Sequence, residues 1–236
     1  MFAMIPRVAR RFANLAFGGS CYLCRGAADG VLCVACDAEL PRLEGGLCPC
    51  CALASPGGAL CGRYLAHPPA YDETLAALSY EFPADVLVQG LKFRGELALA
   101  PLLGQLLAAR LPRGARVDWI LPVPLSAARL RSRGFNQALE IARAIAAATG
   151  CRLAPLLAER RRDTPPQLGL TLKERARNLR GAFGCGERLE RAEVALVDDV
   201  MTTGTTLGEL AATLKRAGAA RVVNWVVART PAHGDA

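Results

Sequence analysis

Two adjacent aspartates and a run of threonines form the most chemically specific stretch of the chain, VALVDDVMTTGTTL at residues 194–207. The apolar residues Ala195 to Val197 predict a short buried strand, and Asp198 and Asp199 follow it directly. Next comes a turn that leads into a predicted helix, so its backbone N–H groups converge on an anion. This turn consists of Thr202, Thr203, Gly204, Thr205 and Thr206.

A phosphate fits such a turn, whereas two neighbouring carboxylates are suited to accept hydrogen bonds from a diol. A phosphate beside a diol describes a ribose 5-phosphate, which is the ligand that this stretch predicts. The alternatives are a solvated acidic loop and a metal-binding pair at the end of a Walker B-like strand. Neither GxxxxGK[ST] nor GxGxxG occurs in the chain, which argues against a P-loop and against a dinucleotide site.

Cysteine supplies a second candidate chemistry, because eight of the ten cysteines lie between Cys21 and Cys61. The spacings Cys21-x2-Cys24 and Cys33-x2-Cys36 are typical of two knuckles that direct four thiolates at one tetrahedral Zn²⁺. Arginines interrupt the apolar segment at the N-terminus, so no secretory signal is expected and disulfides are disfavoured. Redox or purely structural thiols are the alternative.

A second cysteine array offers three thiols, from Cys48, Cys51 and Cys61. Tyr64 stands where a fourth cysteine would complete the second knuckle, and a phenol is a poor zinc ligand because its pKa is about 10. The nearby substitutes are Cys50 and His67. We therefore expect one tightly bound structural zinc, with a second ion weak or absent.

The Pro-rich stretch LAHPPAY predicts a boundary between residues 1–66, an N-terminal helix with a cysteine-rich module, and residues 67–236. Strand-like runs alternate with helical periodicity beyond it, and a helix break is expected at Arg94-Gly95. This alternation predicts an α/β domain with a parallel sheet, whose ligands bind at the carboxyl ends of the strands. The expected strands are TLAALSYEF, VDWILPVPL, LAPLLAE, VALV and RVVNWVVA.

The formal net charge of +8 favours a polyanionic partner, either a phosphorylated small molecule or nucleic acid. No run reaches the roughly 18 uncharged apolar residues that a membrane span needs, so no span and a cytoplasmic location are expected.

The stretch VALVDDVMTTGTT resembles the motif with which type I phosphoribosyltransferases bind 5-phosphoribosyl 1-pyrophosphate (PRPP). Further stretches narrow this resemblance to the ComF family of competence-related proteins, over Cys21 to about Arg229. They are LPVPLSAARLRSRGFNQALEIA, KFRGE, RRRDTPPQLGLTLKERARNLRGAF and the cysteine-rich region. The resemblance implies a type I phosphoribosyltransferase-like parallel sheet flanked by helices, with a small N-terminal zinc ribbon.

The same resemblance assigns roles to individual residues. It places Asp198 and Asp199 at the ribose hydroxyls, Thr202 to Thr206 at the 5-phosphate, and the loop from Pro122 to Ser126 at the pyrophosphate. Arg133 would neutralise pyrophosphate oxygens or be a plain surface charge, and Asn136 would cap the next helix. Residues 160–182 would form a lid over the site. The remaining matches are Val123, Pro124, Gln167, Arg175 and Asn178, with Lys92 and Arg94 as weaker candidates for an anion contact.

The activity implied is transfer of ribose 5-phosphate from PRPP to an unknown acceptor, with Mg²⁺ bound to the substrate and pyrophosphate released. Two alternatives stay open: a protein that binds PRPP without turnover, and an accessory protein that handles single-stranded DNA with DNA-uptake partners. A nucleophile-activating base is not evident, since His67 and His233 are the only histidines.

Overall fold

The computed structural model describes residues 18–162 and 179–232 of the chain. The strands within these ranges are β1 (Glu73–Ser79), β2 (Trp119–Pro122), β3 (Ala158–Arg160), β4 (Phe183–Cys185), β5 (Glu193–Met201) and β6 (Arg221–Arg229). The helices there are α1 (Val34–Ala38), α2 (Gly62–Ala66), α3 (Ala84–Arg94), α4 (Leu99–Ala108), α5 (Ala127–Arg133), α6 (Gln137–Thr149) and α7 (Thr205–Arg216), with a 3-10 turn at Pro56–Gly58.

Four strands form one parallel sheet in the order β1-β6-β5-β2. Met201 lies beside Arg229, so β5 and β6 end together, whereas β2 ends at Pro122, beside Val197 in the interior of β5. The central strands β5 and β6 are buried almost along their whole length, as parallel strands covered on both faces require. The predicted α/β class with a parallel sheet is confirmed.

Helices cover both faces of the sheet. On one face α3, α4 and α6 form a cluster in which Leu103 packs with Val197 of β5. On the other face α7 and the cysteine-rich segment share a second cluster, which contains Leu210, Cys51 and Leu196. Each fully buried leucine contributes roughly 1.5–3 kcal/mol of transfer free energy. Because Cys51 belongs to the second cluster, the cysteine-rich segment is part of the hydrophobic core.

Local sequence determines where several helices begin and end. Helix α3 ends at Arg94, and Gly95 takes the left-handed conformation with φ of 68°, which glycine adopts without a Cβ clash. The Asn136 side chain accepts the backbone N–H of Ala138 at 3.0 Å and caps α6. Gly150 closes α6 with φ of 72°. The predicted helix break and the predicted cap are both found.

The strand that carries the acidic pair is longer than predicted. The sequence predicts a strand over Ala195 to Val197, whereas β5 runs to Met201 and includes both aspartates. Pairing with β6 sustains it, since Asp198 lies opposite Val226. On the other side β2 stops at Pro122, because a proline nitrogen has no hydrogen to donate. The acidic pair thus lies inside β5, beyond the end of its shorter neighbour.

A small antiparallel pair, β3 with β4, flanks the arginine-rich segment. Only Ala158 to Arg160 form the strand that was predicted over LAPLLAE, while Leu153 makes an isolated bridge to Ile120. Pro155 between them has no N–H for a ladder. The predicted site residues Gln167, Arg175 and Asn178 lie outside the described residues.

The cysteine-rich segment runs along β1. The backbone N–H of Ser79 donates to the Pro41 carbonyl at 2.7 Å, and that of Thr74 donates to the Pro49 carbonyl at 2.8 Å. These bonds cover the outer edge of the sheet, which would otherwise present unpaired groups. The boundary predicted after residue 66 stays a prediction. Among the described helices, none has the length and apolar character of a membrane span.

Candidate functional site

The acidic pair is held by a lysine from a distant helix. Lys92, in the last turn of α3, places Nζ 2.8 Å from Oδ2 of Asp199. The Asp199 side chain is only 3% exposed, and its Oδ1 accepts the backbone N–H of Val200 at 2.9 Å. Asp198 accepts the backbone N–H of Asp199 at 2.9 Å. Lys92 was predicted as a weak candidate for an anion contact, and the anion that it contacts in this structure is Asp199.

The two carboxyl groups differ in pKa. Burial, together with the carboxylate of Asp199, raises the pKa of Asp198 well above its usual range. Burial acts on Asp199 in the same direction, but the Lys92 ammonium outweighs it and holds the pKa of Asp199 below its usual value. Asp199 is therefore the member that stays charged, and Asp198 is the member that takes up a proton more readily.

The threonine turn follows directly at the end of β5. The hydroxyls of Thr203 and Thr205 lie 2.7 Å apart, and the Thr205 backbone N–H points to the Thr203 hydroxyl at 3.4 Å. Thr202 is exposed. The first N–H groups of α7 have no intrahelical acceptor, as at any helix start. Hydroxyl and amide donors are thus collected at the positive end of a helix of 12 residues.

Glycine is needed at position 204 because of the backbone conformation there and because neighbouring side chains leave no room for a Cβ. Its φ is 77°, and a Cβ there would lie 2.7 Å from Cε of Met201 and 2.8 Å from the Tyr71 hydroxyl. The Tyr71 hydroxyl donates to the Tyr64 hydroxyl at 3.1 Å, and both rings are buried. Two tyrosines therefore support the threonine turn from inside the protein. Sequence reasoning noticed Tyr64 only as a missing zinc ligand and did not notice Tyr71.

Arg229 is a second buried support that sequence reasoning missed. It is 3% exposed, and its Nε donates to the Cys51 carbonyl at 2.8 Å. Its Nη1 donates to the carbonyl of Met201 at 3.0 Å and to that of Thr202 at 2.5 Å. One guanidinium therefore joins the second cysteine array to the threonine turn. The available indication was an arginine that ends a strand whose other polar residues are Arg221 and Asn224.

The loop from Pro122 to Ser126 lies beside the acidic pair. The Val123 backbone N–H donates to the Val197 carbonyl at 2.9 Å, one residue before Asp198. Asn136 donates its side-chain amide to the Val123 carbonyl at 3.1 Å while it caps α6. Ser126 caps α5, and Val123 and Pro124 are buried. The structure therefore brings this predicted loop to the same edge of the sheet as the aspartates.

Arg133 is more than a plain surface charge. It is half-buried, which lowers the pKa of its guanidinium, and the charges of Asp199 and Asp198 act in the opposite direction. Its Nη1 donates to the Gln137 side chain, and the guanidinium carbon lies 5.7 Å from the centroid of the Phe93 ring. Arg94, in contrast, is directed away, since its Nη2 donates to the Tyr22 hydroxyl.

The first cysteine cluster has the geometry of a metal site. The sulfurs of Cys21, Cys24, Cys33 and Cys36 all lie within 4.8 Å of one another. Burial raises the pKa of the Cys21 thiol, but backbone N–H groups of Cys24 and Cys33 outweigh it and bring the value down to about 6. Burial and the neighbouring cysteines together raise the pKa of Cys36 to about 12, so Cys21 is the thiol of this cluster that most readily forms the thiolate that a metal requires. The four side chains fit a tetrahedral zinc ion.

The second cluster contains three thiols. The sulfurs of Cys48, Cys51 and Cys61 lie within 4.8 Å of one another, and no further ligand joins them among the described residues. The expected substitutes Cys50 and His67 are not part of this cluster. The Tyr64 hydroxyl is engaged by Tyr71. All ten cysteines are free of disulfides.

Comparison with curated proteins identifies relatives along most of the chain. DNA utilization protein YhgH of Salmonella typhimurium is 37% identical over 222 residues, which cover 90% of this chain and 97% of that protein. The protein of the same name in Escherichia coli K12 is 35% identical with the same coverage. Competence protein F of Haemophilus influenzae is 31% identical over 178 residues, covering 72% of this chain and 78% of that protein. No protein-family model matches the chain.

Two solved structures are more distant neighbours. An allosteric regulatory enzyme of purine biosynthesis is 23% identical with a TM-score of 0.38, and the match covers 54% of this chain and only 25% of that one. A purine phosphoribosyltransferase from Pyrococcus horikoshii is 17% identical with a TM-score of 0.29, covering 66% and 87% of the two chains.

Proposed function

The chain belongs to the ComF family, and from this membership we propose that it binds PRPP and transfers the ribose 5-phosphate to an acceptor with release of pyrophosphate. One observation carries the proposal: an acidic pair, with Asp199 buried and Asp198 partly exposed, and a donor-rich threonine turn lie in succession at the end of β5. The pair accepts hydrogen bonds from the ribose diol, and the turn binds the 5-phosphate. The acceptor is a nitrogen nucleophile of unknown identity.

Lys92 has a positioning role in this proposal. It keeps Asp199 ionised, so that one strong acceptor is available to the diol although the site is buried. A hydrogen bond to a charged group is worth roughly 1.5–3 kcal/mol. Asp198, whose pKa is raised, becomes a full acceptor only when it loses its proton.

The pyrophosphate side is formed by the loop from Pro122 to Ser126 and by Arg133. Attack of the acceptor nitrogen on C1 of the ribose breaks the bond to pyrophosphate, and positive charge develops on the ring while negative charge develops on the leaving group. Arg133 stabilises the leaving group. Mg²⁺ carried with PRPP would supply further charge neutralisation, bound mainly by substrate oxygens and water. Residues 160–182, with Gln167, Arg175 and Asn178, would exclude water as a lid.

Zinc is proposed as the resident metal of the first cysteine cluster, since its four thiols fit the tetrahedral preference of that ion. Its role is structural, because four thiolates leave no position open for a substrate. Thiol ligands stay reduced in the cytoplasm, which is the compartment that we propose.

The experiment that tests the main proposal is calorimetric titration of the protein with PRPP and Mg²⁺, followed by a pyrophosphate-release assay over amines and bases. The double variant Asp198→Asn with Asp199→Asn should bind PRPP at least about tenfold more weakly. Unchanged affinity in that variant would contradict the assignment of the ribose. Binding without release for any acceptor would support a protein that senses PRPP without turnover.

A second candidate function is the handling of single-stranded DNA. The relatives at 31–37% identity are named for DNA utilization and competence, and the net charge of +8 suits a polyanion. Binding to single-stranded DNA that weakens steeply with salt, in a protein that does not bind PRPP, would favour this candidate over the first.

A further inference from the structure

Phe93 is an exposed aromatic side chain that directly follows Lys92, the partner of Asp199. It occupies the last turn of α3, directly after Lys92, and 71% of its surface is exposed. An isolated exposed apolar residue is common on protein surfaces and carries little meaning alone. However, a charged group, the guanidinium of Arg133, lies beside the ring of Phe93 and links it to the site.

Arg133 makes that connection. Its guanidinium carbon lies 5.7 Å from the centroid of the Phe93 ring, within the range of a cation–π contact. The same guanidinium is close enough to Asp198 and Asp199 for their charges to affect its pKa. Phe93 also directly follows Lys92, which pairs with Asp199, so its ring lies beside Arg133 and next to the acidic pair.

The helix that carries Arg133 extends this basic surface. Helix α5 has the sequence AARLRSR, with Arg129, Arg131 and Arg133 in seven residues and no acidic residue. Arg131 is exposed, and Arg129 is near enough to Arg133 for their charges to repel. Arg129 and Arg133 are one helical turn apart and share a face of α5, so their guanidinium groups can bind successive phosphates of a strand, whereas a free base offers no phosphate to bind. An aromatic ring beside a basic track is the arrangement that binds unpaired bases.

We propose that Phe93 stacks on a base of single-stranded DNA whose phosphates pass along α5. This proposal deepens the second candidate function and rests on it, but it does not require PRPP to be bound or transferred. A base paired in a duplex presents only its edge, so the ring selects for strands whose bases are unstacked. The site of strand binding then adjoins the acidic pair.

The test is fluorescence anisotropy with a labelled strand of about twelve thymidines, a length within the site sizes of single-strand binding proteins. Phe93→Leu keeps an apolar side chain but removes the aromatic face. We expect it to weaken binding by about tenfold, because loss of the stacking of one base on an aromatic ring lowers affinity by about fivefold to a hundredfold. Phe93→Trp should bind at least as tightly as the unaltered protein.

Phe82→Leu is the matched control, since Phe82 is 78% exposed and lies before the other end of α3. It should leave strand binding unchanged. A strand of the same length without bases should bind the unaltered protein and Phe93→Leu equally weakly. The slope of log affinity against log salt should be the same for both proteins, because no phosphate contact is lost.

Equal affinity of Phe93→Leu and the unaltered protein for the thymidine strand would overturn the proposal. So would equal weakening by Phe82→Leu, or equal affinity of the unaltered protein for the thymidine strand and for the strand without bases. Titration with PRPP separates the two proposals. If the unaltered protein fails to bind PRPP but its strand binding still depends on Phe93, phosphoribosyl transfer is rejected and the stacking role stands.

Discussion

Lys92 and Asp199 form an ion pair with Nζ and Oδ2 2.8 Å apart, and the carboxylate is almost completely buried. The pair joins the last turn of α3 to β5, the strand that leads into the threonine turn. A buried carboxylate keeps its charge only if a partner compensates for the lost hydration. The ionisation of the acidic pair therefore depends on a helix distant in sequence, and this dependence is measurable.

Lys92→Met should destabilise the protein by about 3 kcal/mol in denaturant unfolding near neutral pH, because it leaves Asp199 buried without its partner. The pKa of Asp199 is lowered in the folded state, so the ion pair contributes above the unfolded value of about 3.9. The deficit of Lys92→Met should consequently shrink as the pH falls below that value. Lys215→Met is the control, since Lys215 pairs at 2.7 Å with Asp72, whose side chain is 42% exposed. Lys215→Met should lower the free energy of unfolding by less than about 1 kcal/mol. Equal destabilisation by Lys92→Met and Lys215→Met would contradict a larger contribution from the buried pair.

Asp198→Asn should have the opposite pH dependence. The folded pKa of Asp198 is raised, so at low pH the protonated residue costs nothing and at higher pH its ionisation disfavours the folded state. Asparagine does not ionise. The free energy of unfolding of Asp198→Asn, relative to the unaltered protein, should therefore rise as pH increases above about 4. The measurement is denaturant unfolding of both proteins at successive pH values. A difference in unfolding free energy that does not change with pH would show that the pKa of Asp198 is not raised by folding.

Gly204→Ala should lose both stability and phosphate binding. A Cβ at this position meets Met201 Cε at 2.7 Å and the Tyr71 hydroxyl at 2.8 Å, in a backbone conformation with φ of 77°. We expect a loss of about 1–3 kcal/mol in unfolding and weaker binding of ribose 5-phosphate by calorimetry. Gly208→Ala, four residues later in α7, is the control, because its Cβ would meet Tyr71 Cε1 at 3.9 Å. It should be neutral or stabilising by up to about 1 kcal/mol.

Zinc content should be close to one ion per chain after mild chelation, measured by elemental analysis. The first cluster has four thiols and the second has three. Tyr64→Cys restores the fourth position of the second knuckle and should raise the content towards two. Tyr64→Phe removes the hydroxyl without adding a ligand and should leave it near one. A value near two in the unaltered protein would show that a further group completes the second site, and a value near zero would return the cysteines to other roles.

Much of the architecture was readable from local patterns. The helix break at Gly95, the Asn136 cap and the alternation of strands with helices follow from properties of a few consecutive residues. The spacing of Cys21 and Cys24 likewise indicates a metal knuckle, because a tight turn alone brings the two thiols together. The acidic pair and the threonine turn are consecutive in the chain, so their proximity was also predictable.

The support of the site was not readable from the sequence, because it depends on contacts between residues that are remote in the chain. The bond from Arg229 to the Cys51 carbonyl spans 178 residues, and nothing near either residue identifies its partner. The length of β5 was set by pairing with β6, which local propensity does not contain.

The sequence by itself determined the chemistry of this protein: which carboxylates, hydroxyls and thiols are present, and which of them are neighbours along the chain. Only the tertiary structure decided that Lys92 pairs with Asp199, that the Tyr64 hydroxyl lies near Gly204, and that Arg229 links the Cys51 carbonyl to the start of the threonine turn. The physical reason is that burial and long-range packing, which set pKa and position, arise only when the sheet brings distant segments together.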